Sequence, residues 1–281
     1  MIKFGPSGNG ENFYNLGLSG ASDSAKYVKD LGLNCFEYSF GRGITLTKTT
    51  AENIGNEFLK NGVELSIHAP YFINFATTEE DKEQNSYNYV INSLKYAKIM
   101  NAKRVVFHPS TQGKLDRQAA VELTHKRLVN LANLIVDANL DDLIICPETM
   151  GKSKQIGTVE EIANFCTIAP FYVPAIDFGH VNSRENGSLN TVDDFLNVLK
   201  TTKEIIGEEK LNKLHIHFSK IMYGDKGEIK HLTFEDSVYG PNFEPLAKAL
   251  KIMNIEPFII CESAGTQDID AVKMKQIYLN V

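Results

Sequence analysis

Short apolar runs recur along the chain, and each hands over to a residue that can ionise. Val63 to Ile67 delivers His68, and Pro70 then stops any continuation of the strand. Val105-Val106-Phe107 ends on His108, Ile144-Ile145-Cys146-Pro147 on Glu148, and Val173-Pro174-Ala175-Ile176 on Asp177. Leu214-His215-Ile216-His217 and Phe258-Ile259-Ile260-Cys261-Glu262 complete the series. A polar group at the C-terminal end of such a strand lies at the mouth of a parallel α/β fold, where ligands bind, and not in its packed floor.

Met1 to Gly5 reads as a first strand, followed by a Gly/Pro/Ser/Asn loop through Asn12, and Leu33 to Tyr38 reads as a second. Helices are expected over Ser22 to Leu31, with Ser22 or Asp23 as N-cap, and over Thr49 to Lys60, closed by Asn61-Gly62. Glu79 to Met100 is a long amphipathic helix with Val90, Ile91, Leu94 and Ala97 on one face. Further helices are Gln118 to Ala138, one opened by the capping box Thr158-Val159-Glu160-Glu161, Asn190 to Ile206, Phe243 to Met253, and a short one at the end. Lys220 to Gly240 reads as a long polar loop. Eight strands alternating with helices at intervals of about 30 residues predict a (β/α)8 TIM barrel. The 281 residues suit one such domain spanning 1–281, since these barrels take about 250. A doubly wound open sheet is the alternative, because periodicity does not show closure.

Composition changes the picture little. A hydrophobic fraction of 43% is that of a soluble protein with a sizeable core. The net charge of -6 argues against a broadly basic nucleic-acid coat, while leaving room for a local basic rim or for bound cations. No apolar run approaches the roughly 18 residues of a membrane span, and the N-terminus lacks the segments of a signal peptide. Cys35, Cys146, Cys166 and Cys261 show no CxxC or zinc-finger spacing, and are expected to be reduced, buried thiols of a cytoplasmic protein.

The candidate chemistry matters more. His68, His108, Glu148, Asp177, His180, His217, His231 and Glu262 all fall at strand ends or in the adjoining loops. Imidazole nitrogens and carboxylate oxygens are the donors of catalytic zinc-type sites. Taken singly, each is as readily a hydrogen-bonded core residue as a ligand. Taken together, so many buried ionisable groups without a cation would cost several kcal/mol per uncompensated charge. Asp177-Phe178-Gly179-His180 spaces a carboxylate and an imidazole on a turn, and Glu228-Ile229-Lys230-His231 offers another pair. His215 and His217 face the same side of their strand. His217, nearer the C-terminal end, is the better placed ligand, with His215 one layer deeper. Glu37 is either a partner behind a ligand or a structural hydrogen bonder. Lys152, Lys154 and Lys220 are phosphate contacts or merely solvated, and His125 is a helix-surface residue. Gly151 to Gly157 lacks the spacing of a P-loop.

At these residues the chain resembles the endonuclease IV family, the metal-dependent apurinic/apyrimidinic endonucleases of the xylose-isomerase-like barrel superfamily. The likeness runs strand by strand over essentially the whole chain, in the manner of a divergent archaeal-type member. It implies two to three Zn2+ ions at the barrel mouth, with Mn2+ as the alternative ion. It implies His68 and His108 on the first ion, with Glu148 bridging to a second completed by Asp177, His217 and Glu262. His180 and His231 would serve a third. Tyr71 resembles the family's aromatic that enters DNA near the lesion, and Arg42 is similar to an arginine that engages the minor groove. Three departures stand out: Ile229 where the family places an aspartate, so that Glu228 would substitute; a loop after Glu148 one residue short; and a loose match over His217-Phe218-Ser219-Lys220.

The resemblance implies a DNA-repair hydrolase that cuts double-stranded DNA 5′ to abasic sites, leaving a 3′-hydroxyl and a 5′-deoxyribose phosphate. Glu148 would be its catalytic carboxylate, and the protein would act as a cytoplasmic monomer with no membrane partner. The rival is a sugar isomerase or epimerase of the same superfamily, whose single divalent ion Glu148, Asp177, His217 and Glu262 would satisfy alone. A DNA-binding protein that keeps the site without turnover is the third reading.

Overall fold

The computed structural model describes residues 1–281. Eight short parallel strands carry the fold: β1 (Lys3–Pro6), β2 (Cys35–Ser39), β3 (Glu64–His68), β4 (Arg104–Phe107), β5 (Ile144–Pro147), β6 (Ala175–Asp177), β7 (His215–Phe218) and β8 (Phe258–Cys261). Their ladders form two halves, in the orders β1-β8-β7-β6 and β2-β3-β4-β5. Single parallel bridges close the two seams: Ser7 to Glu37 between β1 and β2, and Ile145 to Tyr172 with Glu148 to Ala175 between β5 and β6. Closure makes this a TIM barrel and removes the open-sheet alternative.

The helices start and stop where local chemistry dictates. The Thr47 side chain accepts from Thr50 N to open Lys48–Asn61, and Gly62, at φ 72°, closes it in the left-handed region that favours glycine. Thr158 and Glu161 form the expected reciprocal capping box ahead of Val159–Phe165. The long helix Glu80–Ile99 buries Val90, Leu94 and Ala97, with Ile91 partly covered. One continuous apolar cluster of 61 buried residues fills the interior and the layer beneath the helices. All four cysteines are free and buried in it or beside it. No helix is long and apolar enough to cross a membrane.

Several local expectations change. The second helix runs over Gly20–Asp30 with Ser19 as N-cap, and Asp23 accepts from the Ser19 N–H instead of capping the helix itself. A short helix, Glu11–Asn15, lies at the end of the first loop. The terminal helix is longer than expected, Gln267–Asn280. Asp177 to His180 is not a free turn, because Phe178–Arg184 is helical. The polar stretch after β7 contains an antiparallel hairpin, Ile221–Gly224 with Gly227–His231.

Candidate metal centre

The strand ends converge as the sequence pattern requires. His68 is the last residue of β3, and Asp177 the last of β6. His108, Glu148 and Glu262 directly follow β4, β5 and β8, and His217 stands near the end of β7. They surround a cleft of about 420 Å³ at the C-terminal end of the barrel, lined in part by His68, His108, His180, Glu228, His231 and Glu262.

Three sets of donor atoms form there, the atoms of each lying within 4.8 Å of one another: His68, His108 and Glu148; Glu148, Asp177, His217 and Glu262; and His180, Glu228 and His231. Glu148 belongs to two of them. Its Oε2 lies 3.2 Å from His68 Nε2 and 3.1 Å from His108 Nε2. Its Oε1 lies 3.1 Å from His217 Nδ1 and 3.4 Å from His180 Nδ1. Glu262 Oε2 is 3.5 Å from the same His217 nitrogen. Asp177 Oδ1 accepts from the His180 N–H at 2.7 Å, which caps the helix Phe178–Arg184.

The hairpin brings the third set. Glu228 Oε2 lies 3.6 Å from His180 Nε2, and Glu228 Oε1 lies 4.0 Å from His231 Nε2, while the Ile229 side chain is exposed. Two glycines let the hairpin approach. A Cβ on Gly227 (φ 90°) would meet Gly151 O at 2.1 Å, and one on Gly151 would crowd Glu228 and His180.

Several imidazoles are anchored on one nitrogen, leaving the other turned inward. His68 Nδ1 is 2.9 Å from Ala69 O, His180 Nδ1 is 2.9 Å from Thr149 O, and His231 Nδ1 is 2.9 Å from Ser219 Oγ. Donation to a carbonyl keeps the proton on Nδ1 of His68 and His180 and turns Nε2 toward the other donors, as metal-ligating histidines require, whereas the Ser219 hydroxyl can donate or accept. Buried Asp177 Oδ2 has no hydrogen-bond partner. The donor chemistry and this orphaned oxygen fit divalent ions, so the clusters can hold metal ions.

Electrostatics agree. Burial opposes ionisation of Glu148, yet the charges of His217 and His108 hold its carboxyl well below the usual range. Burial would lower His68, but its hydrogen bond and charge interaction with Glu148 raise it to about 9. Burial raises the Asp177 carboxyl, and the neighbouring charges of Glu262 and Glu148 push the same way against His180. Burial drives His215 down to about 4, only partly offset by Glu37. A mouth in which buried carboxylates crowd one another beside imidazole nitrogens is one whose negative charge a cation would balance.

Other expectations divide. Arg42 and Tyr71 stand together on the rim, Arg42 Nε donating to Tyr71 Oη at 3.0 Å. Lys152 lines the cleft. Lys220 is buried and donates to the Asp236 carbonyl, so it is no free phosphate contact. His125 is exposed on the helix Arg117–Asp137. Sequence reasoning missed Thr149 and Ser219, which anchor histidines, and Phe72, which packs on Tyr71 with ring centroids 4.5 Å apart. Thr149 and Phe72 each adjoin a residue already singled out, and that adjacency was the available signal.

Among known proteins, an uncharacterized protein of Methanocaldococcus jannaschii is 31% identical over 263 residues, covering 92% of this chain and 93% of that one. The probable endonuclease 4 of Mycoplasma genitalium is 28% identical over 236 residues, or 76% and 73% of the two chains. Endonuclease IV from Thermus thermophilus superposes with a TM-score of 0.67 at 19% identity, covering 93% and 94%. A D-tagatose 3-epimerase-like protein superposes with a TM-score of 0.72 at 17% identity, covering 92% and 93%. Both superpositions speak for the fold alone. The model of the xylose isomerase-like TIM barrel matches residues 25–276, and with the barrel closed and its mouth so furnished, the chain belongs to that family.

Proposed function

We propose that this protein is a divalent-metal-dependent phosphodiester hydrolase that cuts double-stranded DNA 5′ to abasic sites. The observation that carries the reading is the pair of flanking donor sets, His68 with His108 and His180 with Glu228 and His231, on either side of the central one. A single-ion site has no use for them. Relatives named probable endonuclease 4 support the same reading.

Zn2+, or Mn2+ in its place, would supply Lewis acidity toward a phosphate oxygen and a water that ionises near neutral pH. The chain's own groups do the rest. Glu148 is the catalytic carboxylate: it turns one oxygen toward His68 and His108 and the other toward His217, fixing the spacing of the two donor sets. His68, His108, Asp177, His180, His217, His231 and Glu262, with Glu228, are the metal ligands. Tyr71 and Phe72, 48% and 52% exposed, present an aromatic edge to DNA whose stacking is broken by a missing base. Arg42 beside them and Lys152 within the cleft give a local basic rim, which a chain of net charge -6 needs to hold phosphates.

The alternative is a sugar epimerase, favoured by one observation: Glu148, Asp177, His217 and Glu262 alone make a four-donor set. Metal analysis of protein purified without chelator, run beside cleavage of an abasic oligonucleotide, separates the two. About three ions per chain with nicking that leaves a 3′-hydroxyl supports the hydrolase. One ion, interconversion of a ketose and no nicking would overturn it.

A further inference from the structure

Beneath the mouth lies a second layer of ionisable groups that the proposed reaction does not touch. Glu37, from the middle of β2, meets His215 and His217, from β7, and all three are fully buried. Glu37 Oε2 accepts from Ser66 Oγ at 2.8 Å and lies 3.3 Å from His215 Nε2. Glu37 Oε1 lies 3.0 Å from His217 Nε2, close but not aligned for a linear hydrogen bond, so the link is chiefly the pull of the carboxylate charge on the ring. His215 closes the layer from below, stacked on Phe258 at 5.2 Å and edge-on to His217 at 4.9 Å between ring centroids. The other nitrogen of His217 faces the mouth, 3.1 Å from Glu148 Oε1. That contact is a hydrogen bond, and the buried Glu37 charge on the far side of the ring keeps Nδ1 turned to the mouth.

We infer that Glu37 is a positioning residue: its buried carboxylate, 3.0 Å from His217 Nε2, holds the ring so that Nδ1 is the atom turned to an ion at the mouth. The inference rests on the reading of His217 as a metal ligand. It goes beyond that reading in giving a role to a residue on β2, a strand that carries none of the ligands, and in naming the nitrogen. An apolar strand position would ordinarily hold an aliphatic side chain. Here the position holds a carboxylate, with Ser66 donating to it and His215 close beside it.

Glu37→Gln keeps the shape and removes the charge, Glu37→Asp restores the charge on a shorter stem, and His217→Ala removes the ring through which Glu37 acts. Zinc content and zinc affinity by chelator competition are measured for each, and for Glu37→Gln combined with His217→Ala, beside the thermal midpoint of the zinc-free proteins. We expect Glu37→Gln to weaken one zinc site by roughly 10–100-fold and leave the others unchanged, with Glu37→Asp recovering part of the loss. In the His217→Ala background, Glu37→Gln should cost nothing further. Wild-type affinity in Glu37→Gln overturns the inference, whatever happens to the midpoint. An equal loss in both backgrounds does so too, as does the disappearance of an additional ion held by Glu37 and His215 themselves. If His217→Ala keeps every ion of the wild type, the ligand reading itself fails and the role of Glu37 falls with it.

Discussion

The groups on the barrel strands and the pair on the hairpin are held in different ways. His68, Asp177 and His217 belong to strands whose registers are pinned on both sides by ladders or bridges, and His108, Glu148 and Glu262 follow such strands directly. Glu228 and His231 ride on Gly227–His231, a strand paired with Ile221–Gly224 across a register shift between Met222 and Tyr223 and joined to the barrel loops by one isolated bridge, Lys152 to Gly227. Its seat on the barrel depends on the close approach of Gly227 to Gly151 and on the Ser219–His231 contact. Donors on strand ends inherit their direction from the core, whereas donors on a hairpin need a contact made for them. The departure from the endonuclease IV pattern, Ile229 where that family places an aspartate, falls on the second kind.

The comparison can be broken hardest at Glu148, which serves two sets at once. Glu148→Gln should lower cleavage of abasic DNA by roughly a thousandfold or more while leaving the circular dichroism of the fold intact. Wild-type-like turnover in that variant would remove Glu148 from the chemistry. His68→Ala and His108→Ala come next: each should lose about one ion per chain and roughly 100-fold in rate, read by metal analysis and by nicking. Full metal content in either would move both histidines to the periphery and favour the epimerase.

The hairpin offers a sharper test of how its donors are held. Gly227→Ala, with no contact to any ion, should reproduce the effect of Glu228→Gln, roughly a tenfold loss of rate with the third set weakened, because the added Cβ drives the hairpin off Gly151. If Gly227→Ala is silent, the glycine contact does not seat the hairpin. The smallest effects belong to the rim. Tyr71→Ala and Arg42→Ala should each weaken equilibrium binding of abasic duplex several-fold, about 1 kcal/mol, with the Arg42 variant also showing a shallower salt dependence. Unchanged binding in both would point to a small-molecule substrate.

What could be read from the chain follows the same division. A buried parallel strand is an apolar run, so a histidine or carboxylate at its C-terminal edge announces itself, and His68, His108, Glu148, Asp177, His217 and Glu262 were all visible that way. The helix Phe178–Arg184 was not visible, because seven residues capped by Asp177 are too few to show a period. The hairpin was hidden for another reason: its register shift breaks the alternation that would mark two strands. Glu37 showed only as an acid in an apolar stretch, since its partners Ser66 and His215 arrive from strands distant in sequence. Recognition of the family supplied the grouping of donors into sets, which spacing alone does not encode.

The two-halved barrel has a consequence of its own. His68, His108 and Glu148 come from the half that ends at β5, while Asp177, His217 and Glu262 come from the half that begins at β6. Glu148 lies on the seam itself, bridged to Ala175. A ligand held between them therefore works as a clasp, present only when the halves are docked, and its occupancy feeds directly into how firmly they stay so. Two polypeptides divided between β5 and β6 would each carry part of the donor set and neither a complete central site. Their reassociation would become a reaction that a bound divalent ion drives and a chelator reverses.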